Sequence, residues 1–276
     1  MNTIKLMVNG IPGNIATNLI QHVQKDIRFD LIGYSLTGPE IVETEYRLDD
    51  LPICLIQPHL RDELIPEILK KEGCFISIDF THPSAVNANA EFYRKWKLPF
   101  VMGTTGGDRR HLEDTVIGSD IPAVIAPNMA KQIVAFQAMM EYAARSFPDL
   151  FRGYTLQVKE SHQKGKADTS GTAKAVVASF QKLGIDFSEN QIIKERDPEI
   201  QKSVWGVPED YLKGHAWHTY TVVSEDNTVK FEFTHNINGR DVYARGILDA
   251  AEYLHHKVQR GERGKVFTMM DVLKKI

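Results

Sequence analysis

The chain has 276 residues, 42% of them hydrophobic and 25% charged, with a formal net charge of −3. That length can bury one large core or two modest ones, and the near-neutral balance offers no whole-protein basic field for nucleic acid and no acidic tail. Its two cysteines, Cys54 and Cys74, lack metal or redox spacing and are expected to be reduced, buried thiols in a reducing cytoplasm.

The N-terminal run MNTIKLMVNG lacks the apolar stretch of a signal peptide. No segment reaches the roughly 18 uncharged apolar residues of a membrane helix, so a cytoplasmic protein is expected. Ile4–Asn9 reads as a first buried strand, and Ile15, Ala16, Leu19, Ile20 and Val23 then follow at helical spacing. Residues 29–34 read as a second strand and 53–56 as a third, with a helix marked by Leu64, Ile65, Ile68 and Leu69. Residues 75–80 form a fourth strand before a helix over 85–96. Residues 99–102 form a fifth before a short helix over 110–117, and 123–126 form a sixth. This alternation predicts an α/β fold, a Rossmann doubly wound parallel sheet whose helices are the crossovers.

The pattern changes after Pro127. Helices are predicted over 129–146 and 170–183, the second closed by Gly184. A strand at 156–158 and a strand pair at 218–223 and 229–236 indicate an open mixed sheet. A last helix runs over 245–259. The pattern divides the chain into an α/β part over 1–129, an α+β part over 130–244 and a closing part over 245–276.

The turn Gly10-Ile11-Pro12-Gly13-Asn14-Ile15 joins the first strand to the first helix. Glycine there allows a tight turn and a close backbone approach to a pyrophosphate, and the helix N-terminus adds its positive end. After the second strand, Gly33-Tyr34-Ser35-Leu36-Thr37 carries no acid to grip a ribose 2′-hydroxyl. Ser35 and Thr37 offer donors to a 2′-phosphate, which favours NADPH, with NADH also usable. Three more loops fall at C-terminal ends of predicted strands and complete the cofactor side: Phe80-Thr81, Gly103-Thr104-Thr105, and Pro127-Asn128-Met129.

The densest chemistry lies between Glu160 and Ala173. Ser170 reads as an N-cap, and its hydroxyl, with Gly171 and Thr172, would cradle a carboxylate on bare helix amides. His162 and Lys166 are candidate proton donors. Arg240 is a candidate carboxylate clamp. Each residue also fits an exposed polar loop or an ordinary turn.

Taken together and in order, these residues resemble the dihydrodipicolinate reductase family. The Gly10/Gly13/Ala16 turn, Asp79-Phe80-Thr81, Gly103-Thr104-Thr105-Gly106, the run from Glu160-Ser161-His162 through Lys166 to Ser170-Gly171-Thr172-Ala173, Gly214-His215 and Arg240 carry the likeness. Gln163 stands where most bacterial members have a second histidine, and Asn14-Ile15 replaces a usual arginine–methionine pair. Thr104-Thr105-Gly106-Gly107-Asp108-Arg109 and the run from Lys131 to Phe136 resemble the plant-type branch.

The resemblance implies reduction of 4-hydroxy-tetrahydrodipicolinate in lysine and diaminopimelate biosynthesis. The hydroxylated ring would lose water to give dihydrodipicolinate, a hydride from NADPH or NADH would then reach ring carbon 4, and His162 and Lys166 would protonate. Gln163, Ser170, Gly171, Thr172 and Arg240 would hold the carboxylates. No metal is required, and the architecture implied is a dinucleotide-binding domain over 1–129, rejoined by 245–276, with a substrate and oligomerisation domain over 130–244 that assembles a homo-oligomer, tetramer or dimer. Two other readings stay open: a related oxidoreductase acting on another small carboxylate, and a non-catalytic assembly protein that keeps the fold.

Overall fold

The computed structural model describes residues 3–274, which gather into two compact units: residues up to 131 with those from 241 onward, and residues 132–240. The first unit opens with β1 (Ile4–Asn9), α1 (Asn14–Val23), β2 (Phe29–Leu31), β3 (Tyr34–Leu36), β4 (Glu45–Leu48) and β5 (Leu51–Ile56). It continues through α2 (Arg61–Glu72), β6 (Ile76–Asp79), α3 (Val86–Lys95), β7 (Phe100–Met102), α4 (Arg109–Ile117) and β8 (Ala123–Ile125). The second unit holds α5 (Lys131–Ser146), β9 (Thr155–His162), α6 (Gly171–Lys182), β10 (Ile193–Glu195), α7 (Pro198–Ser203), β11 (His215–Val223) and β12 (Lys230–Asn238). The chain then returns to the first unit as α8 (Asp241–Gln259), β13 (Val266–Phe267) and α9 (Met269–Leu273).

The main sheet of the first unit has the order β13-β8-β7-β6-β1-β2, and every neighbour pair is parallel. Successive side chains along a strand point to opposite faces, so both faces of β1 and β7 can be apolar. Met7, Phe100, Met102 and Ala123 pack with Ile65, Val86, Tyr93 and Leu112 from α2, α3 and α4. Leu6, Val8, Val101 and Val124 alternate with them and are equally buried. Across this second face, α1 presents Ala16, Leu19, Ile20 and Val23, and α8 lies against β6, β7, β8 and α1. Helices therefore cover both faces, as in a doubly wound α/β sheet.

The second and third predicted strands need correction. Tyr34 N–H bonds the Ile32 carbonyl at 2.8 Å, which breaks residues 29–34 into two pieces. Only β2 joins the main sheet; β3 pairs with β5 and β4 in a separate three-stranded sheet. The sixth main-sheet strand is β13. The cysteine expectation also fails, since Cys74 is exposed and Cys54 only half-buried. Among the described residues, no helix is long and apolar enough to cross a membrane.

In the second unit the sheet order is β10-β9-β11-β12, with β9, β11 and β12 antiparallel. One face packs Val158, Tyr220 and Val222 against Met140 and Ala144 of α5 and Val177 and Phe180 of α6. The other face is polar, with Thr155 and Gln157 of β9 and Glu232 and Thr234 of β12 exposed.

Candidate active site

In the first unit, β8, β7, β6 and β1 are adjacent and parallel, so their C-terminal loops share one edge. Gly10 sits at φ +102°, and a Cβ there would stand 2.3 Å from the Phe80 carbonyl oxygen. A Cβ on Gly103 would meet the Phe80 ring at 2.2 Å. Glycine at both positions thus lets the turn after β1 and the loop after β7 close on the Phe80 loop. Gly13 occupies the N-cap of α1 with no side-chain cap, leaving first-turn amides bare.

A buried network holds these loops. Asp79, fully buried, accepts from Thr81 N–H at 3.0 Å, from the Thr81 hydroxyl at 2.7 Å and from the Thr104 hydroxyl at 2.9 Å. Its second oxygen accepts from Tyr93 OH at 2.7 Å and Asn89 at 2.9 Å. Asn9 donates to Ser77 and Tyr93 and accepts Leu36 N–H at 2.9 Å. The arrangement can bind an anion through exposed backbone N–H groups at one sheet edge.

In the second unit, the apolar face of the sheet turns titratable towards the end of β9. Glu160 and His162 of β9, His218 of β11 and His235 of β12 lie on that face. Glu160 has no solvent exposure; one carboxylate oxygen is paired with Arg196 and the other accepts Ser170 N–H at 3.0 Å. His162 and His218 face each other through their Nε2 atoms at 3.3 Å, so a single proton lies between them. Burial first, then the charges of Arg196 and Lys166, hold the His162 imidazole down to about 3. Burial likewise lowers His218 strongly and brings His235 to about 4. His215 donates from Nδ1 to the Tyr211 carbonyl at 3.1 Å, so its Nε2 accepts the Ser161 hydroxyl at 2.8 Å.

Glu160, His162 and His218 bring ligand-type atoms within 4.8 Å of one another. The Glu160 carboxylate is already neutralised by Arg196, so the donor set reads as an ion-paired, hydrogen-bonded cluster. Lys166 lies in the loop after β9 and meets Asp168 at 2.8 Å. Ser170 stands at the N-cap of α6 without a side-chain cap bond, and a Cβ on Gly171 would meet nothing within 4 Å. The start of α6 therefore presents a free hydroxyl and bare amides beside a lysine, donors suited to a carboxylate.

The models of the dihydrodipicolinate reductase N-terminus and C-terminus match residues 4–129 and 132–273. The chain belongs to the dihydrodipicolinate reductase family. It is 44% identical to the chloroplastic 4-hydroxy-tetrahydrodipicolinate reductase 2 of Arabidopsis thaliana, over 99% of this chain and 78% of that one. It is 32% identical to the 4-hydroxy-tetrahydrodipicolinate reductase of Dechloromonas aromatica, over 99% of both chains. Among solved structures, the dipicolinate-bound dihydrodipicolinate reductase of Paenisporosarcina sp. TG-14 shares the fold with a TM-score of 0.68 at 16% identity, covering 98% of this chain and 99% of that one. The identities place it with the plant-type branch of the family.

Within this family frame, several expected roles change. Burial favours the neutral form of the His162 imidazole in the ligand-free site, where it can donate or accept a hydrogen bond. Ser35 is fully buried and accepts Ile11 N–H at 3.3 Å, and the Thr37 hydroxyl turns to the Ile56 carbonyl. Both hydroxyls support the turn and are not donors for a 2′-phosphate. The Met129 and Ile11 side chains are core residues, leaving only their backbones for a ligand. Thr105, Pro12, Gly13, Asn14 and Pro127 are exposed at the loop edge, and Phe80, Thr81, Ile15 and Asn128 are half-buried there. Gln163 is half-buried beside His162, and Arg240 lies over Gly214, where a Cβ would stand 3.3 Å from its Nη1. Lys131 is paired with Asp249 within the first unit.

Sequence reasoning missed Arg196 and His218. Arg196 is 36 residues from Glu160 in a short charged run, Glu195-Arg196-Asp197, that looks like an ordinary solvated turn. His218 could have been found from strand alternation, since it shares a face with Tyr220 and Val222.

Proposed function

We propose that this chain is a 4-hydroxy-tetrahydrodipicolinate reductase in the diaminopimelate and lysine pathway: the substrate loses water to give dihydrodipicolinate, which a reduced nicotinamide dinucleotide and one proton convert to tetrahydrodipicolinate. The observation that carries the site assignment is the junction of β9 and α6. One buried carboxylate, Glu160, receives the amide that opens α6, and the intervening loop carries Lys166.

The first unit is the dinucleotide domain in this reading. Backbone amides of Asn14 and Ile15 at the uncapped start of α1 would hold the pyrophosphate, and Gly10, Ile11 and Gly13, whose own N–H groups are bonded to Leu36, Ser35 and Gly10, would shape the turn around it. Phe80, Thr81, Gly103, Thr104, Thr105, Pro127, Asn128 and the Met129 backbone would line the remainder. The nicotinamide supplies the hydride when bound. NADPH is proposed over NADH because no acidic side chain follows β3 before Glu40 to repel a 2′-phosphate.

The second unit would take the dicarboxylate. Ser170, Gly171 and Thr172 would bind one carboxylate at the α6 start, and Gln163 and Arg240 would contact the substrate. Lys166, released from Asp168, would give the proton that the reduced ring requires. Neutral His162 would polarise the substrate by a hydrogen bond. The open polar face of the second sheet supports a homo-oligomer, dimer or tetramer. A cytoplasmic location is part of the proposal, beside plant relatives whose names place them in the chloroplast.

The test generates substrate in place from pyruvate and aspartate semialdehyde with the preceding synthase, and follows loss of NADPH or NADH. Synthase-dependent oxidation is expected, faster with NADPH. Folded protein that binds NADPH and gives no oxidation would sink the assignment.

A further inference from the structure

Residues 163–169, between β9 and α6, have no regular secondary structure. Inside the loop, Lys166 N–H bonds the Gln163 carbonyl at 3.0 Å. Most of its remaining anchorage comes from one side chain outside it. Arg196 Nε donates to the Lys166 carbonyl at 2.7 Å. Its Nη1 donates to the Glu195 carbonyl at 2.8 Å and, at 3.5 Å, to the Glu160 carbonyl. Its Nη2 donates to the Glu160 carboxylate and, at 3.4 Å, to the Asp168 carbonyl.

A guanidinium has five N–H donors in a fixed plane, and five acceptors meet it here. Two come from Glu160 near the end of β9, one each from Lys166 and Asp168 in the loop, and the fifth is the carbonyl of the adjacent Glu195. The other Glu160 oxygen takes Ser170 N–H, so the same contact chain reaches the first amide of the α6 cradle. Arg196 is largely buried, with 18% of its side chain exposed, so water competes little for these bonds.

We propose that Arg196 is a positioning residue for the reaction: by clasping the Glu160 end, Lys166 and Asp168 together, it sets where the Lys166 ammonium stands relative to the carboxylate cradle at the start of α6. This rests on the reading of Lys166 as proton donor and of the α6 start as carboxylate site. A lysine at this position would keep one positive charge against Glu160 but could not present five planar donors. The loop would keep its charge balance and lose its register.

The experiment compares Arg196→Lys and Arg196→Ala with wild type in the coupled assay, with NADPH titration and with binding of pyridine-2,6-dicarboxylate to the protein–NADPH complex. For Arg196→Lys, kcat should fall about 100-fold, the scale of an ångström-level misplacement. Dicarboxylate affinity should weaken about tenfold, while NADPH affinity stays at the wild-type value. Added guanidinium ion should restore part of the lost kcat in Arg196→Ala, which a general packing role would not allow. Wild-type kcat and dicarboxylate affinity in Arg196→Lys would overturn the proposal, as would lost turnover in Arg196→Ala that guanidinium leaves unchanged. Lys166→Met separates the two readings: wild-type turnover there removes the proton-donor assignment, and the dicarboxylate affinity of Arg196→Lys then still decides the clasp.

Discussion

Replacing Gly10 by alanine tests the dinucleotide turn where its geometry is tightest. The new methyl would stand 2.3 Å from the Phe80 carbonyl oxygen and 2.6 Å from its carbon. Reaching even 3.0 Å, the lower edge of real Cβ contacts, requires a shift of 0.7 Å (3.0 − 2.3). The atom in the way is backbone, so no rotamer change relieves it. A φ of +102° adds roughly 1–2 kcal/mol for any residue with a Cβ. The turn and the Phe80 loop would therefore separate, spreading the amides that face the pyrophosphate. We expect Gly10→Ala to lower stability by about 1–3 kcal/mol and NADPH affinity by about 10- to 100-fold. Fluorescence titration of NADPH and a denaturant melt read the two effects separately. Gly165→Ala is the control, because its Cβ would meet nothing within 4 Å, and it should leave NADPH affinity unchanged. A Gly10→Ala protein that is destabilised yet binds NADPH as wild type would refute the placement of the cofactor at this turn.

Three further outcomes follow from the same geometry. Gly171→Ala adds a methyl into open space at the first residue of α6; its melting should match wild type, while KM for the dicarboxylate should rise about tenfold because the methyl keeps the carboxylate from closing on the retained amides, and an unchanged KM would remove the cradle. His162 at about 3 and His235 at about 4 lie below the ordinary 6.5, so the unfolded chain takes up protons first as pH falls: their contribution is whole above pH 6.5 and lost from there down to about 3 for His162 and about 4 for His235, by on the order of 2 kcal/mol per imidazole at pH 5. A denaturation midpoint that stays flat from pH 7 to 5 would contradict this. Tyr93→Phe removes a buried donor to the Asp79 carboxylate and should destabilise by about 1.5–3 kcal/mol, read by thermal melting; a change under 0.5 kcal/mol would mean that Asp79 does not depend on it.

The parts of the molecule that were legible in sequence are those where local pattern and chemistry coincide. β1, the Gly10 turn and α1 follow directly because hydrophobic period, glycine placement and helix start agree. The segment from Glu160 to Ala173 stood out for the same reason. The break at Ile32–Gly33 was not legible, because each half of residues 29–34 still reads as strand and the choice of sheet is made by pairing partners distant in sequence. Cys74 misled because its neighbour Phe75 is a core residue while Cys74 itself faces water. Arg196 and His218 act through contacts with Glu160 and His162, and no spacing rule links residues 36 or 56 positions apart.

Asp79 and Glu160 show why those missed contacts matter. Each is an acidic residue at or near the C-terminal end of a strand, each has no exposure, and each lies in a segment that looked functional. Read by chemistry alone, both are candidates to face a ligand. In the structure both turn inward and are consumed by donors from the chain: five at Asp79, from Thr81, Thr104, Asn89 and Tyr93, and Arg196 with Ser170 at Glu160. A buried carboxylate without such donors would be costly, so wherever it is kept, the groups that satisfy it are held as well. Thr81 and Thr104 belong to loops proposed above to line the cofactor, and Ser170 and Arg196 flank and clasp residues 163–169. The two acids thus tie these loops to the strands that carry them. Removing either charge while leaving its donors in place should disturb two loops at once, which sets these positions apart from a ligand-binding acid, whose loss would leave the loop backbone where it was.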